Sequence, residues 1–324
     1  MTRVAIVGYG NIGRFAQDAV QTAPDMELAG IVRRKAPEKE ICTVKAVESV
    51  DELGRIDVAL LCVPTRSVEE IAPAYLAKGI TTVDCFGMQS KIVSLREKFD
   101  ALAKAGGCRA VIAAGLDPGG NSAARALMQA CAPKGITYTN YGPGMSIGHS
   151  VAVKGKKGVI DALSMTIPAG AGVHRRMVYV QLEPSAKLKN VIADIKADPY
   201  FINDDTKVMA VENVSDLIDM GHSINTVRKG VSGKSDNQFL EFNMEINNPA
   251  LTAQLMVGCA RAALKQPPGA YTILELPPVD LLHGRREEWI GKLMWPLLPT
   301  LPRRCALRYC ASGTAIKTDR LERE

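Results

Sequence analysis

The sequence predicts an α/β protein in which a doubly wound parallel sheet is followed by a second, α+β domain built on a largely antiparallel sheet. Two observations lead to this prediction. Up to about residue 118, apolar runs of strand length alternate with amphipathic stretches of helical length. Beyond residue 135 the rhythm changes, and strand-like runs follow one another without regular helical crossovers.

The first part of the chain contains five apolar runs rich in β-branched residues. They lie at 3–8, 26–32, 57–63, 80–86 and 109–115. Helices are predicted between most of them, at 11–23, 67–79 and 91–107. Strands that are apolar throughout and separated by helices are typical of a parallel sheet covered on both faces. In the second of these helices, Ser67 and Glu70 have the spacing of a capping box, which predicts that the helix begins there.

The second part opens with a further helix and then changes class. After the helix at 121–135, strands are predicted at 164–170, 175–183, 207–214 and 238–247. The last of these alternates polar and apolar residues, as in an antiparallel sheet with one face in water. A long helix at 248–266 is predicted to pack back on the first domain. The predicted domains are 1–118, completed by the segment at about 249–293, then 119–248, and a tail of unknown order at 294–324.

Composition and charge limit the classes of protein that fit. Apolar runs such as 57–64 are far shorter than the ~20 residues of a membrane span, and Met1 leads into the first strand without the layout of a signal peptide. The net charge of +6 comes without a basic stripe that interleaves aromatic residues, so neither a membrane nor a nucleic acid is an expected partner. The eight cysteines form no C-x-x-C pair, which predicts reduced thiols in the cytoplasm and no metal site.

A glycine-rich turn follows the first predicted strand. The stretch "VAIVGYGNIGRF" is a G-x-G-x-x-G motif between a strand and a helix, which is the context of a Rossmann-type dinucleotide site. The glycines permit a tight turn, a close approach of a pyrophosphate and close packing of helix on strand. The alternative is a glycine-rich turn without a ligand. The predicted cofactor residues of this turn are Gly8, Tyr9, Gly10, Asn11, Ile12 and Gly13.

The end of the second strand indicates which dinucleotide binds. An enzyme that selects NAD tends to carry an acidic residue there, whereas this sequence has Arg33 and Arg34. Two guanidinium groups suit a 2′-phosphate, so NADP is the predicted cofactor, and a solvated basic loop is the alternative. Cys62, Pro64 and Thr65 lie at the carboxyl end of the strand at 57–63, where we expect them to border the nicotinamide side.

Several motifs of the second half resemble those of one family. The segments "NYGPGMSIGHS" (140–150), "DALSMTIPAG" (161–170), "VHRRMVYV" (173–180), "DMGHS" (219–223) and "INNPALTAQ" (246–254) resemble the meso-diaminopimelate D-dehydrogenase family, and its shorter, more broadly specific branch most. The likeness extends from Arg3 to about Leu293. It implies a homodimer whose domains close on an amino-acid substrate. It also implies reversible, NADP-dependent oxidative deamination at the D-centre, with hydride transferred to NADP and the imine hydrolysed to a 2-oxo acid and ammonia.

The resemblance implies a set of residues that bind the distal L-centre. The matching positions are Thr166, Arg176, His222 and Asn248, and all four residue types are kept. Arginine can take a carboxylate in a fork, while the other three supply directed hydrogen bonds. Each residue also has an ordinary explanation without the family. For Asn248 this is a helix cap, which stays open beside the binding role.

The reactive end departs from the family pattern at two positions. Gly87 stands where the family has a second acidic residue, and Leu116 stands where it has a tryptophan. Asp117 is kept, and the resemblance implies that it receives the substrate ammonium and stabilises the developing iminium. The alternative is that Asp117, which precedes a proline, only forms a turn. The family pattern further implies that Tyr141, Ile147 and Gly148 line the same pocket. His149 is expected to be structural and Lys154 a surface charge.

Two further functions remain open because of these departures. The enlarged pocket fits a related D-amino-acid or amine dehydrogenase, or an imine or carbonyl reductase, with a different substrate. A protein that binds NADPH without turnover and senses a metabolite is the third possibility.

Overall fold

The fold is that of a computed structural model, which describes residues 1–35, 44–218 and 221–294. The chain divides into two compact units, Met1–His283 and Gly284–Glu324. The first unit holds both sheets. In the second unit the described residues form one helix, α8 (Arg286–Met294), and the predicted tail from 295 onward lies outside the described residues. None of the helices in the described ranges has the length and apolar character that a membrane crossing requires.

The first sheet has seven strands, and all of its pairs are parallel. Its strands are β1 (Thr2–Val7), β2 (Met26–Val32), β3 (Ala46–Val47), β4 (Val58–Leu61), β5 (Thr81–Asp84), β6 (Arg109–Ile112) and β13 (Gly269–Thr272). Their order across the sheet is β13-β6-β5-β4-β1-β2-β3. The central strands β1, β4 and β6 are almost entirely buried because helices cover both faces. This is the predicted Rossmann-type parallel sheet.

Four helices cover this sheet. They are α1 (Asn11–Thr22), α2 (Thr65–Leu76), α3 (Ile92–Ala105) and α7 (Asn248–Ala263). On one face, Ala16 and Val20 of α1 pack in one cluster with Met256 and Ala260 of α7. On the other face, α2 and α3 contribute side chains such as Leu76 to a second cluster. The long helix predicted at 248–266 thus packs on the first sheet together with α1.

The second sheet has six strands and is largely antiparallel, as predicted. Its strands are β7 (Lys134–Met145), β8 (Val159–Gly170), β9 (Val173–Leu182), β10 (Asp205–Ala210), β11 (Gly221–Ser232) and β12 (Ser235–Asn247). Their order is β10-β9-β8-β7-β11-β12, and only β9 and β10 pair in parallel. The helices of this part are α4 (Asn121–Cys131), α5 (Ile147–Lys154) and α6 (Leu188–Lys196).

Two local expectations are corrected by the structure. The capping box of Ser67 and Glu70 is wrong, because α2 begins at Thr65 and its N-cap is Pro64, without a side-chain cap. The proline fixes the chain direction before the helix and places Ser67 inside the first turn. The helix-cap explanation of Asn248 is also wrong, because the cap of α7 is Asn247, whose side chain accepts from the backbone N–H of Ala250.

Candidate functional site

One cavity of about 710 Å³ joins the carboxyl edge of the first sheet to the second sheet, inside the unit Met1–His283. Most of the predicted site residues line it. They are Gly10, Asn11, Ile12, Cys62, Pro64, Thr65, Leu116, Asp117, Tyr141, Ile147, Gly148, Thr166, Arg176, His222 and Asn248. The cavity joins residues from Gly10 to Thr252, so it is a product of the tertiary fold.

The glycine-rich turn has the geometry that its motif requires. Gly8 has a φ of +90°, and a Cβ there would lie 2.5 Å from the carbonyl oxygen of Cys62. A Cβ on Gly13 would lie 2.4 Å from the carbonyl oxygen of Gly8, so a side chain would separate α1 from the turn. Gly10, in contrast, faces open space, since nothing lies within 4 Å of an ideal Cβ. The backbone at Gly10 is therefore open to a close ligand.

The start of α1 completes this turn. Gly10 is the N-cap, and no side chain caps the first N–H groups of the helix. Free N–H groups at a helix N-terminus, with open space in front of them, fit the pyrophosphate of a dinucleotide. Tyr9 turns away from this space, because its hydroxyl donates to Oε1 of Gln17 at 2.6 Å.

Arg33 and Arg34 lie outside the cavity. They follow β2 directly, and both side chains are exposed. The backbone N–H of Arg33 donates to the carbonyl of Val47 on the neighbouring edge of the sheet, which ties this loop to β3. The position at the end of the second strand is where the ribose of a dinucleotide lies in this fold.

The distal residues form one row across the second sheet. The strand register places Arg176 of β9 opposite Thr166 of β8. Thr166 lies opposite Gly144 of β7, which in turn lies opposite His222 of β11. Because paired residues point to the same face, the three side chains share one surface, and Gly144 leaves space between two of them. Asn248 follows β12 directly and lines the same cavity.

Hydrogen bonds hold the row in place. Nε of Arg176 donates to Oδ2 of Asp204 at 2.6 Å, and its NH1 donates to Oγ1 of Thr166. His222 is buried, and its Nδ1 has no hydrogen-bond partner among the described residues. Burial, and then the charge of Arg176, lower the pKa of His222, so the ring is neutral near pH 7. A neutral ring with a free nitrogen can accept or donate one hydrogen bond to a ligand.

The Asp117 carboxylate binds side chains and makes no bond to the backbone just ahead of it. Its Oδ1 accepts from Nδ2 of Asn121 at 3.0 Å and from NH2 of Arg125 at 2.9 Å. Its Oδ2 accepts from the hydroxyl of Tyr141 at 2.7 Å. Asn121 is fully buried and is itself fixed, because Thr226 donates to its Oδ1 at 2.9 Å. Among the described residues, the Asp117 carboxylate makes no hydrogen bond to a backbone N–H of the kind that a turn-forming aspartate makes. The side chains of Asn121, Arg125 and Tyr141 orient it instead.

The start of α5 forms another wall of the cavity. Ile147 and Gly148 occupy its first turn, where no side-chain cap uses their N–H groups. His149 is held on both ring nitrogens, by Oγ of Ser146 at 2.8 Å and by the carbonyl oxygen of Tyr200 at 2.9 Å. Burial lowers the pKa of His149 to about 4, which agrees with a structural histidine.

Lys154 lies at the far end of α5. Its side chain is 44% exposed and pairs with Asp161 across the surface. This contact accounts for the lysine as a surface charge and leaves it no part in the cavity wall.

The two departures at the reactive end also line the cavity. Leu116 is buried, so it fills part of the wall with an apolar side chain. Gly87 is exposed at the rim, and its N–H donates to Oγ1 of Thr65 at 3.3 Å. Because residue 87 is a glycine, the second carboxylate of the family pattern is missing from the reactive end of the cavity. Asp117 is the carboxylate of that pattern that this chain keeps.

Three functional side chains were not predicted from the sequence. Asn121 and Arg125 lie one turn apart on α4, four and eight residues after Asp117, and this spacing could have indicated that both face the preceding turn. Asp204 gives no such signal, because the pairing of β10 with β9 alone brings it to Arg176. Among the described residues, no three His, Cys, Asp or Glu side chains form a group that could hold a metal ion.

Comparisons with known proteins identify the family. A model of the diaminopimelic acid dehydrogenase C-terminal domain matches residues 115–248. A model of the oxidoreductase family, NAD-binding Rossmann fold, matches residues 2–85. The meso-diaminopimelate D-dehydrogenase of Bacteroides fragilis is 57% identical over 295 residues, which are 90% of this chain and 99% of that protein. The chain belongs to the meso-diaminopimelate D-dehydrogenase family.

Solved structures agree with this assignment. The diaminopimelate dehydrogenase of C. glutamicum in complex with DAP has a TM-score of 0.82 and 28% identity, and covers 90% of this chain and 98% of that one. An engineered D-amino acid dehydrogenase bound to NADP⁺ has a TM-score of 0.81 and 26% identity, over 90% and 99% of the two chains. The resemblance and the fold class predicted from the sequence are confirmed. As a family member, the protein is a Rossmann-domain oxidoreductase with a nicotinamide cofactor.

Proposed function

We propose that this protein catalyses reversible, NADP-dependent oxidative deamination at the D-centre of meso-diaminopimelate. The observation that carries the proposal is one cavity with two separate polar groups. Arg176, Thr166 and His222 form the row on the second sheet, and the Asp117 carboxylate is held in its own network in the same cavity, which Gly10 of the glycine-rich turn also lines. A substrate with an amino-acid group at each end matches this arrangement.

Each end has a separate task in this proposal. The Arg176 guanidinium binds the distal carboxylate, while His222 and Asn248 add directed hydrogen bonds. At the reactive end, Asp117 orients the nitrogen and accepts a hydrogen bond from the iminium that develops on it. The N–H groups of Ile147 and Gly148 are placed to bind the carboxylate of the D-centre. NADP, when bound, accepts the hydride from the D-carbon.

The choice of NADP over NAD rests on Arg33 and Arg34. Both side chains are exposed at the end of β2, the place where this fold carries the 2′ position of the ribose. Two guanidinium groups there favour a 2′-phosphate through charge and bidentate hydrogen bonds. We expect NADPH to bind more tightly than NADH, and titration of intrinsic fluorescence with each dinucleotide measures the difference.

The proposal extends to assembly, domains and location. Ile136 of β7 and Phe239 of β12 are 69% and 56% exposed, and both pair with Lys229, so they share one sheet face. Two large apolar side chains exposed on either side of Lys229 support a homodimer through this face. The proposed domains are those predicted from the sequence. Residues 1–118, completed by about 249–293, form the dinucleotide-binding domain, and residues 119–248 form the substrate-binding domain.

The proposed location is the cytoplasm. The described cysteines are unpaired, which supports a reducing compartment.

A second candidate function keeps the chemistry and changes the substrate. Gly87 adds no side chain to the rim, and Leu116 presents an apolar wall, so the reactive end has room for a bulkier or less polar group. A broader D-amino-acid or amine dehydrogenase, or an imine or carbonyl reductase, fits this pocket. A protein that binds NADPH without turnover is the remaining alternative.

One assay separates the three functions. Purified protein is mixed with NADP and meso-, LL- or DD-diaminopimelate, or with simple D-amino acids, and NADPH formation is followed by absorbance. The proposed function predicts turnover of meso-diaminopimelate and none of the LL isomer. Turnover of simple D-amino acids alone supports the second candidate. NADPH binding with no turnover of any of these compounds contradicts both enzyme functions.

A further inference from the structure

The reactive end of the cavity is nearly neutral in charge. NH2 of Arg125 lies 2.9 Å from Oδ1 of Asp117, and the two side chains are only 28% and 12% exposed. A second bond, from the same NH2 to Oγ of Ser122 at 2.8 Å, fixes the direction of the guanidinium. A shielded cation and anion at this distance largely cancel each other as seen by a third charge. Asp117 therefore presents hydrogen-bond acceptors with little net charge.

Beside Arg125, two neutral side chains donate hydrogen bonds to the Asp117 carboxylate. The Tyr141 hydroxyl donates to Oδ2, and Asn121 donates to Oδ1. Burial, and then the neighbouring Asp117 carboxylate, raise the pKa of Tyr141, so the hydroxyl keeps its proton. A carboxylate offers about four acceptor positions, and three are used here by Tyr141, Asn121 and Arg125. One position is left for an N–H of the substrate.

The other described groups around the cavity do not supply the missing negative charge, since the Asp198 carboxylate, which also lines it, is paired with Lys156. α7 faces this turn with the uncharged Thr252, which accepts from the N–H of Leu116. The short turn at Ile273–Glu275 packs nearby, but the Glu275 carboxylate is bound by Arg96. From β11 comes His222, which is neutral near pH 7. An ammonium ion bound here would lose its hydration without gaining a counter-charge.

We propose that Arg125 is a positioning residue that sets the charge of this end, so that the pocket takes the reacting nitrogen as a neutral amine. This inference rests on the function proposed above and specifies which form of the substrate binds. The ammonium releases one proton to solvent as the amine enters. The amine lone pair becomes the second bond of C=N as hydride leaves the D-carbon, and the product is an iminium cation. Asp117, held by Arg125, accepts one N–H of the amine.

Proton release on binding tests this inference directly. Meso-diaminopimelate is titrated calorimetrically at pH 8 into the protein with NADPH, in buffers of different ionisation enthalpy. The reduced cofactor cannot accept hydride, so binding is measured without turnover. We expect one proton released per ligand in the wild type and little release in Arg125→Gln, where an uncompensated carboxylate holds the ammonium. Absence of release in the wild type, or equal release in Arg125→Gln, overturns the inference.

Two control variants separate charge from structure. Arg125→Lys keeps the positive charge and is expected to keep the proton release. Arg55 is an exposed arginine paired with Asp57, so Arg55→Gln serves as the matched control and should release one proton. If Arg125 had only a structural role, Arg125→Gln would lower the melting temperature and leave the proton count unchanged.

A second measurement needs no variant. The pH dependence of kcat/KM for deamination is recorded with meso-diaminopimelate and with analogues of it whose D-centre ammonium groups have graded pKa values. If the neutral amine is the form that binds, the bend in each profile follows the pKa of that substrate. A bend at one fixed pH for every substrate contradicts the inference. Failure of the proposed function is distinguishable, because it appears as absence of NADPH formation from meso-diaminopimelate or of its binding heat, whereas failure of the inference appears as binding without proton release.

Discussion

Restoring the absent acid at position 87 is the most informative change at the reactive end. Gly87 lies at the rim of the cavity, and its φ is outside the left-handed region that only glycine tolerates well. A Cβ there would meet only Oγ1 of Thr65, at 3.6 Å, which is an ordinary contact. Gly87→Asp therefore fits without backbone strain and adds a carboxylate across from Asp117.

The expected gain follows from one additional charge-assisted hydrogen bond. Such a bond contributes about 1.5–3 kcal/mol, which corresponds to roughly ten- to a hundredfold in kcat/KM. Because residue 87 is exposed, solvent screening places the expected effect near the lower end, at about tenfold.

The assay is steady-state deamination of meso-diaminopimelate with NADP at pH 8. Gly87→Asn is the matched control, since it has nearly the same volume and no charge. We expect kcat/KM to rise in the Asp variant and to stay close to wild type in the Asn variant. Equal effects of the two substitutions, or a lower kcat/KM for Gly87→Asp, would refute the reasoning that a missing charge limits this end.

Three further predictions concern other parts of the protein. Burial raises the pKa of Asp84 from 3.8 to about 6, so between these pH values the carboxyl group is protonated in the folded state and ionised in the unfolded state. The loss of this proton lowers the free energy of unfolding by about 3 kcal/mol as the pH rises from about 4 to 6. In Asp84→Asn, urea denaturation at pH 4.5 and 7 should lose this pH-dependent difference. Replacing Arg33 and Arg34 by Gln should raise the Kd of NADPH roughly ten- to a hundredfold and leave that of NADH nearly unchanged, as measured by fluorescence titration. Asp204→Asn should raise KM for meso-diaminopimelate more than it lowers kcat, because Arg176 loses its orienting partner; an unchanged KM contradicts this role.

The layout of the first sheet was predictable because its signals are local. Strands β1, β2, β4, β5 and β6 fall within apolar runs and the helices between them have one apolar face, so hydrophobic periodicity locates them. The short strands β3 and β13 were not predicted. The turn at Gly8–Gly13 was equally accessible, since a tight turn, a close backbone contact and an open position each require glycine. The ends of elements were less predictable. Ser67 has the spacing of a cap, but Pro64 begins the helix earlier.

The site was predictable only in part. Thr166, Arg176 and His222 were identified through the family motifs, and the strand register then explains why they meet. The partners of these residues depend on how distant elements pack, which no local pattern records. Asp204 reaches Arg176 because β10 pairs with β9, and the fully buried Asn121 reaches Asp117 from the start of α4.

The most direct test of the central claim is a crystal structure of the protein with NADPH and meso-diaminopimelate. The account predicts one substrate molecule spanning the cavity, with its D-carbon beside the nicotinamide and Asp117, and its L-centre carboxylate on Arg176. A substrate bound in the opposite direction, or a nicotinamide ring outside this cavity, would contradict it.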